Sequence, residues 1–299
     1  MYQLGIREPL TQMRVSTVRI VTDSLADIPP AILRELDITV VPCIVRFGNT
    51  EYRDRVDLPP WEFYQKLATS PVLPTTAIPS SAEFEETFRK LAQTTDQILA
   101  IHTVASLSGI FNASRLAAQE IPNAQIEIID SQQVSMSLGW LVILAARAAK
   151  AGKSLAEIKS LVEGALPRVH ILAMLNTLKY AQRGGRLGKG TALLGTILNV
   201  KPLLSASHGE IVPVENVRSQ RRALQRLVEL VVASGPVDDI AVVHANAADL
   251  AIDVERALAE IYPDKQIMLS ETGPVLGTHT GPGSVGIAWI SSENGNGKG

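Results

Sequence analysis

The sequence predicts an α/β protein with two domains. In the first half, short runs rich in isoleucine and valine alternate with helical stretches, a pattern typical of a Rossmann-like, mostly parallel sheet with flanking helices. In the second half, two apolar runs flank Ser207-His208-Gly209, a hairpin signature that predicts an antiparallel pair and hence an α+β domain with a mixed or antiparallel sheet. With 299 residues, 46% of them hydrophobic, the chain can bury two cores.

Four segments divide the chain in this interpretation. Residues 1–16 are expected to form a flexible extension, because charged residues and a proline interrupt their apolar positions. Residues 17–166 form the predicted α/β domain and residues 167–291 the α+β domain, with the boundary near Leu166-Pro167. Residues 292–299, which are rich in glycine and asparagine, are expected to be a disordered tail.

The first domain is predicted to alternate strands with helices. The predicted strands are residues 18–22, 39–45, 97–103 and 125–130. The predicted helices are residues 80–93, 108–120 and 135–151, with a further helix that begins after Ser154. Ser80 with Glu83, and Ser154 with Glu157, have the spacing of capping boxes. Phe84, Phe88 and the apolar helix 138–149 form either plain core or the wall of a ligand cavity, and the pattern leaves both open.

The second domain is predicted to contain more strands than helices. Its predicted strands are residues 201–206, 210–214, 239–244, 266–271 and 284–290, and its helices are residues 219–233 and 248–261. Two glycine-rich segments, 179–190 and 273–283, are predicted to be loops. The first carries four cations, which a helix C-terminus attracts, but that attraction does not explain the paired glycines before Arg186. The second holds His279 between glycines and prolines.

Composition excludes several classes of function. A net charge of −2 argues against non-specific nucleic-acid binding. A single cysteine, Cys43, excludes an internal disulfide and a cysteine-rich zinc site, and it suits a cytoplasmic protein. No apolar run is long enough for stable membrane insertion. We find neither metal-ligand spacing nor the order of a nucleotide-binding P-loop, so we expect no metal and no cofactor.

Small polar residues follow several predicted strands. Asp23-Ser24, Ser108-Gly109 and Asp130-Ser131 lie where the carboxyl ends of parallel strands would meet, which is where such sheets bind ligands. Ser108-Gly109 also opens a helix, whose free N–H groups favour an anion. Ordinary capping explains any one of these residues equally well. Ser108 lacks the elbow of a nucleophilic serine, so a hydrolase is possible but has no further support.

An ordered set of motifs resembles the DegV family of bacterial fatty-acid-binding proteins. The resemblance spans residues 18–290, and its blocks are Ile20-Val21-Thr22-Asp23-Ser24 with Ala26-Asp27, Val40-Val41-Pro42 followed by Tyr52 and Asp54, Thr76 with Pro79-Ser80, Leu107-Ser108-Gly109, Ile129-Asp130-Ser131, Leu138-Gly139, Thr177-Leu178, Gly184-Gly185-Arg186, Lys201-Pro202, Val217-Arg218 and His279-Thr280-Gly281-Pro282-Gly283. The chain departs from the family pattern at Ala77-Ile78, where serine and glutamine are usual, and at Ile110, where threonine is usual.

The resemblance implies a lipid-binding subunit of a fatty acid kinase, active in phospholipid metabolism and not an enzyme by itself. One long-chain fatty acid would lie in an apolar tunnel, with its head group held by the first domain. Its carboxylate would be presented to a separate ATP-dependent kinase that forms an acyl phosphate. By motif position, the carboxylate-binding residues would be Thr76, Ser108, Gly109, His279 and Arg218. The basic loop with Arg183, Arg186 and Lys189 would contact the kinase or the phosphate.

Two other functions stay open at this point. In one, Ser108 and His279 act together in serine-dependent acyl hydrolysis or transfer. In the other, the chain carries or senses a lipid without any kinase partner.

Overall fold

The computed structural model describes residues 17–187 and 200–293. The strands are β1 Arg19–Asp23, β2 Thr39–Val41, β3 Ile44–Phe47, β4 Thr50–Arg53, β5 Thr75–Ala77, β6 Gln97–His102, β7 Gln125–Asp130, β8 Val169–Met174, β9 Lys201–Ser207, β10 Glu210–Val217, β11 Val237–Ala245, β12 Ile267–Glu271 and β13 Ser284–Ser291. The helices are α1 Pro30–Glu35, α2 Pro60–Thr69, α3 Ser81–Leu91, α4 Ile110–Gln119, α5 Ser135–Lys150, α6 Leu155–Ala165, α7 Lys179–Gly184, α8 Gln220–Ala233, α9 Ala248–Ile261 and α10 Pro274–Thr280. The predicted extension and residues 294–299 of the predicted tail lie outside the described residues.

A four-stranded parallel sheet organises the first half of the chain. Its strand order is β2-β1-β6-β7, and every pairing in it is parallel. The apolar runs that predicted β1 and β6 are buried between helices, as expected for a sheet covered on both faces, while the edge strand β7 is mostly half-buried. The predicted Rossmann-like sheet with flanking helices is therefore confirmed.

A six-stranded mixed sheet organises the second half. Its order is β10-β9-β8-β13-β11-β12, and only β11 and β12 pair in parallel. The hairpin β9–β10 turns at His208 and Gly209, both with positive φ, as a tight two-residue turn requires. The predicted mixed sheet is confirmed. The sheet begins with β8 at Val169, while the domain boundary near Leu166-Pro167 stays a prediction.

Helix α5 joins the two sheets through one shared core. Nearly all of its residues are buried, and the hydrophobic cluster around it contains Ile20 and Ile101 beside Val243 and Ala288. The indole N–H of Trp140 donates to the carbonyl oxygen of Ala288 on β13 at 3.0 Å. The two halves of the chain consequently share buried apolar surface, and the space enclosed between them is bounded on both sides by rigid sheets.

The structure differs from prediction where a run of apolar residues spans two strands. The predicted strand 39–45 is divided at Pro42, which lacks an N–H donor, and β3 leaves the parallel sheet to join β4 and β5 in a small antiparallel sheet. Thr76, which belongs to none of the predicted strands, consequently lies on strand β5. The two predicted capping boxes, at Ser80 and Ser154, are both present.

Candidate functional site

A cavity of about 550 Å³ lies between the carboxyl ends of the parallel strands and one face of the mixed sheet. This size is typical of small-molecule sites. Most of the residues that line it are apolar, among them Leu25, Cys43, Val104, Val134, Ile171, Ala173, Leu175, Leu204, Ala206, Ile211, Val243, Val275, Leu276, Val285 and Gly286. Such a lining suits a hydrocarbon.

The floor of the cavity is built from small residues on β8 and β13. Ile171, Ala173 and Leu175 alternate along the chain and all face the cavity, and Ala173 pairs directly with Gly286. A β-carbon at Gly286 would lie 3.0 Å from the carbonyl oxygen of Leu172 and 3.3 Å from the β-carbon of Ala173. The neighbouring strands therefore leave little room for a side chain at Gly286. The small Ala173 beside it leaves space in the cavity that a larger side chain would fill.

Polar groups gather at one part of the cavity wall. Thr76, Ser108, Gly109 and His279 all line it. The Thr76 hydroxyl and Nε2 of His279 are 3.1 Å apart, within hydrogen-bonding distance. Ser108 accepts a long hydrogen bond of 3.4 Å from the backbone N–H of Ile110, at the first turn of α4. First-turn N–H groups have no intrahelical partner and favour negative charge, so this cluster can hold a carboxylate.

His279 reaches the cluster from a helix, contrary to the predicted loop. Residues 274–280 form α10, which begins with Pro274 at its first position and ends before Gly281. The imidazole packs against the backbone of Gly184, where any β-carbon would overlap Nδ1 of the ring. Gly185 follows with φ of 66° and ends α7. The paired glycines are thus explained: one admits the ring and the other ends the helix.

The environment of His279 keeps its ring neutral at physiological pH. Burial, and to a smaller degree the positive charge of Arg186, lowers the pKa of His279 to about 4. Nδ1 has no hydrogen-bond partner among the described residues. At pH 7 the ring therefore offers one donor and one acceptor without a charge.

The basic residues of the predicted site differ in where they lie relative to the cavity. Arg186 is exposed, donates to the carbonyl oxygen of Gly184 at 2.8 Å and lines the cavity, so it lies at the cavity mouth. Arg183 is exposed on α7 and away from the cavity wall. Lys189 lies outside the described residues. Arg218 is exposed just after β10, and the structure does not bring it to the cavity.

The departures from the family pattern lie in the cavity wall near the polar cluster. Ala77, Ile78 and Ile110 all line the cavity beside Thr76 and Gly109. Ile78 is partly exposed, and its Cδ1 atom lies against Gly109. Apolar atoms therefore replace polar ones around the carboxylate cluster, which places more of the polar recognition on Thr76, Ser108 and the first turn of α4.

A second polar cluster has the connectivity of a catalytic triad. Nδ1 of His102 lies 3.2 Å from Asp23, and Nε2 lies 2.8 Å from the Ser114 hydroxyl. All three residues are completely buried and none lines the cavity. His279 bonds Thr76, whereas no hydrogen bond joins it to Ser108 in the described part of the chain. Neither serine is thus arranged as an accessible nucleophile beside a base.

The residues that the sequence offered as candidate cavity walls prove to be core. Phe84, Phe88 and most of residues 138–149 are buried in the hydrophobic clusters, and none of these residues lines the cavity. Within residues 17–187 and 200–293, no cluster of three or more histidine, cysteine or acidic side chains could hold a metal ion. No helix in these ranges is both long and apolar enough to span a bilayer.

Comparison with known proteins identifies the family. The sequence model of the DegV family, whose members are described as uncharacterised, matches residues 17–292. The chain belongs to the DegV family. A DegV domain-containing protein of Caldanaerobacter subterraneus subsp. tengcongensis is 34% identical over 274 residues, which cover 90% of this chain and 97% of that protein.

Solved DegV structures share the fold. DegV of Bacillus subtilis, described as a fatty acid binding protein, superposes with a TM-score of 0.85 at 31% identity, covering 93% of this chain and 100% of that one. A DegV family protein from Thermus thermophilus, studied for fatty acid binding, gives a TM-score of 0.86 at 29% identity, covering 92% and 100%. The motif blocks of the sequence thus indicated the correct family.

Sequence reasoning missed the DegV cavity floor. Ala173, Val243 and Gly286 lie in buried strands, and their spacing of alternate residues is the same whether a strand faces packed core or an empty cavity. Their small size was the available signal, although small residues also occur where two backbones approach closely.

Proposed function

We propose that this protein binds one long-chain fatty acid in the cavity and presents its carboxylate to a separate ATP-dependent kinase. The observation that carries the proposal is the combination of a largely aliphatic cavity with a cluster of hydroxyl, imidazole and helix N-terminal groups at its mouth. The solved relatives described as fatty-acid-binding support it. The chain itself would act as a binding subunit without catalytic activity of its own.

The hydrocarbon tail supplies most of the proposed affinity. Burying a CH₂ group stabilises a complex by about 0.8 kcal/mol, so about fourteen methylenes give on the order of 11 kcal/mol before ordering costs are subtracted. The carboxylate contributes less and mainly fixes orientation. It cannot be buried without partners, and Thr76, Ser108 and the N–H of Gly109 are the proposed donors.

Mostly neutral donors fit the proposed role in phosphoryl transfer. A bidentate arginine would hold both carboxylate oxygens and reduce their nucleophilicity, whereas hydroxyl donors and a neutral His279 leave an oxygen able to attack. In the proposed step, that oxygen forms a bond to the γ-phosphorus of ATP. The bond from this phosphorus to the β–γ bridging oxygen breaks, and ADP leaves from the kinase.

The carboxylate assignment is tested by the double variant Thr76→Val, Ser108→Ala. Two charge-assisted hydrogen bonds are lost, so we expect the affinity for palmitate to fall by about 100-fold, measured by isothermal titration calorimetry. Native mass spectrometry of wild-type protein from a bacterial host should show one co-purified fatty acid. Thr75→Val is the control, because Thr75 is the exposed neighbour of Thr76 on β5. Unchanged palmitate affinity in the double variant would contradict the assignment.

The kinase-docking role is tested by Arg186→Glu. Because rim charges govern association more than retention of a buried ligand, we expect acyl-phosphate formation with the kinase to fall about tenfold while native mass spectrometry still shows bound lipid. Arg256→Glu on α9, an exposed site on the far side of the mixed sheet, should have no effect. Loss of the lipid itself in Arg186→Glu would place Arg186 in carboxylate binding and contradict the docking role. Full activity would contradict it as well.

A further inference from the structure

A buried ion pair outside the cavity links the two halves of the chain. Arg55 donates to a carboxylate oxygen of Asp27 at 2.8 Å, with Asp27 completely buried and the Arg55 side chain 20% exposed. The same carboxylate accepts from the Ser135 hydroxyl at 2.7 Å and from the backbone N–H of Gly273 at 2.9 Å. Arg55 also donates to the carbonyl oxygen of Glu271. We call Asp27 and Arg55 the clamp.

The clamp binds the backbone immediately before α10. Gly273 immediately precedes α10, and a β-carbon there would lie 2.8 Å from Nε of Arg55 and 3.0 Å from a carboxylate oxygen of Asp54. The Tyr64 hydroxyl donates to the carbonyl oxygen of Thr272 at 3.2 Å. The start of α10 therefore rests on side chains of the first half of the chain with no room for displacement toward them.

Contacts continue along α10 to its functional end. At Gly277, a β-carbon would lie 2.6 Å from the Tyr64 hydroxyl oxygen, so the middle of the helix packs directly on Tyr64. At the last turn, His279 packs on Gly184 and bonds Thr76. A seven-residue helix has little intrinsic stability, so these tertiary contacts determine where it lies.

We propose that Asp27 and Arg55 are positioning residues for the carboxylate site, holding α10 so that His279 stands beside Thr76. The inference rests on the proposed function, since it deepens the account of that same site. Neither clamp residue is among the described residues that line the cavity, so both act through α10. One guanidinium nitrogen of Arg55, Nη2, donates both to Asp27 and to the Glu271 carbonyl oxygen. A lysine side chain is one bond shorter and would not place its ammonium nitrogen at the same point.

Ligand binding distinguishes a clamp that only stabilises the fold from one that positions His279. Loss of fold stability lowers binding of every ligand of the cavity. Loss of His279 placement lowers binding of a carboxylate and leaves the tail contacts unchanged. Comparing palmitate with hexadecanol, which has the same chain length without the acid group, separates these two cases.

The test is Arg55→Lys, with Arg53→Lys as the matched control. Arg53 lies two residues away and makes an exposed ion pair with Asp57 at 2.8 Å, remote from α10. For Arg55→Lys we expect palmitate affinity to fall about tenfold and hexadecanol affinity to change less than about twofold. Arg53→Lys should match the wild type with both ligands. An equal loss for both ligands in Arg55→Lys, or no loss, would overturn the positioning role.

A second readout needs no ligand. In nitrogen-15 spectra of the unliganded protein, with His279 assigned by its disappearance in His279→Gln, the ring should titrate near pH 4 in the wild type and in Arg53→Lys. In Arg55→Lys the midpoint should rise toward 6.5, because a displaced α10 exposes the ring to water. An unchanged midpoint in Arg55→Lys would overturn the inference even if the protein bound no lipid.

If Arg55→Lys does not fold, Tyr64→Phe tests the same inference. It leaves the ion pair intact and removes one hydroxyl contact to the start of α10. We expect a shift in the same directions as for Arg55→Lys, about threefold for palmitate. An unchanged palmitate-to-hexadecanol ratio and an unchanged His279 midpoint in Tyr64→Phe would then overturn the inference. Failure of wild-type protein to bind either ligand would instead overturn the proposed function.

Discussion

Replacing Ala173 with phenylalanine is expected to abolish binding of long-chain fatty acids without unfolding the protein. Ala173 lies on the cavity floor beside Gly286, so an aromatic ring there would occupy space needed by the tail. Excluding about five methylenes at about 0.8 kcal/mol each removes about 4 kcal/mol, or close to a thousandfold in affinity. Calorimetric titration with palmitate measures the loss, and repeating it with octanoate should show a smaller one.

Ala233→Phe is the control for the Ala173 experiment. Ala233 is exposed at the last position of α8, so the same change in size occurs away from the cavity. The thermal unfolding midpoint of Ala173→Phe should equal or exceed that of the wild type, because the ring fills an existing cavity. Wild-type palmitate affinity in a folded Ala173→Phe protein would show that the tail does not lie over β8 and β13.

Replacing Trp140 with alanine is expected to cause a large loss of stability. Trp140 is 2% exposed in the core that both sheets share, and its indole donates to the backbone of β13. Loss of its packing should lower the free energy of unfolding by about 3–5 kcal/mol, measured by urea denaturation. Trp140→Phe should cost less, since most of the packing remains.

Trp61→Ala is the matched control for Trp140. The Trp61 side chain, on α2, is 58% exposed, so its removal should change the free energy of unfolding by no more than about 0.5 kcal/mol. Equal effects of the two alanine substitutions would contradict a single core that α5 builds between the sheets.

The sequence predicts most of the fold because its signals are local. Strands β1, β6 and β7 are compact apolar runs, and α3 and α6 begin at capping boxes. The elements that were predicted wrongly are those whose conformation depends on tertiary contacts. Pro42 is a single-residue signal within an apolar run that otherwise resembles one strand. Helix α10 contains a glycine and is too short for helical propensity to predict, and it forms because Gly277 packs on Tyr64.

The candidate site was only partly predictable, for a similar reason. The expectation that polar residues meet at strand ends, together with the family motifs, pointed to Thr76, Ser108 and His279, which the structure brings to one cavity. Arg218 shares a motif block but lies exposed after β10. Asp27 belongs to a motif block, but its role with Arg55 could not be recognised, since that role depends on Gly273, which is more than 200 positions away along the chain.

The hydrogen-bonded residues Asp23, His102 and Ser114 affect how esterases can be assigned from atomic coordinates. A search that matches only the relative positions of a carboxylate, an imidazole and a hydroxyl would select this chain, since its distances are those of a working hydrolase. The Ser114 oxygen, however, belongs to a residue with no solvent exposure, so neither an ester nor an organophosphate could approach it. Template matching therefore identifies hydrolytic enzymes reliably only when it also requires an open path from solvent to the hydroxyl.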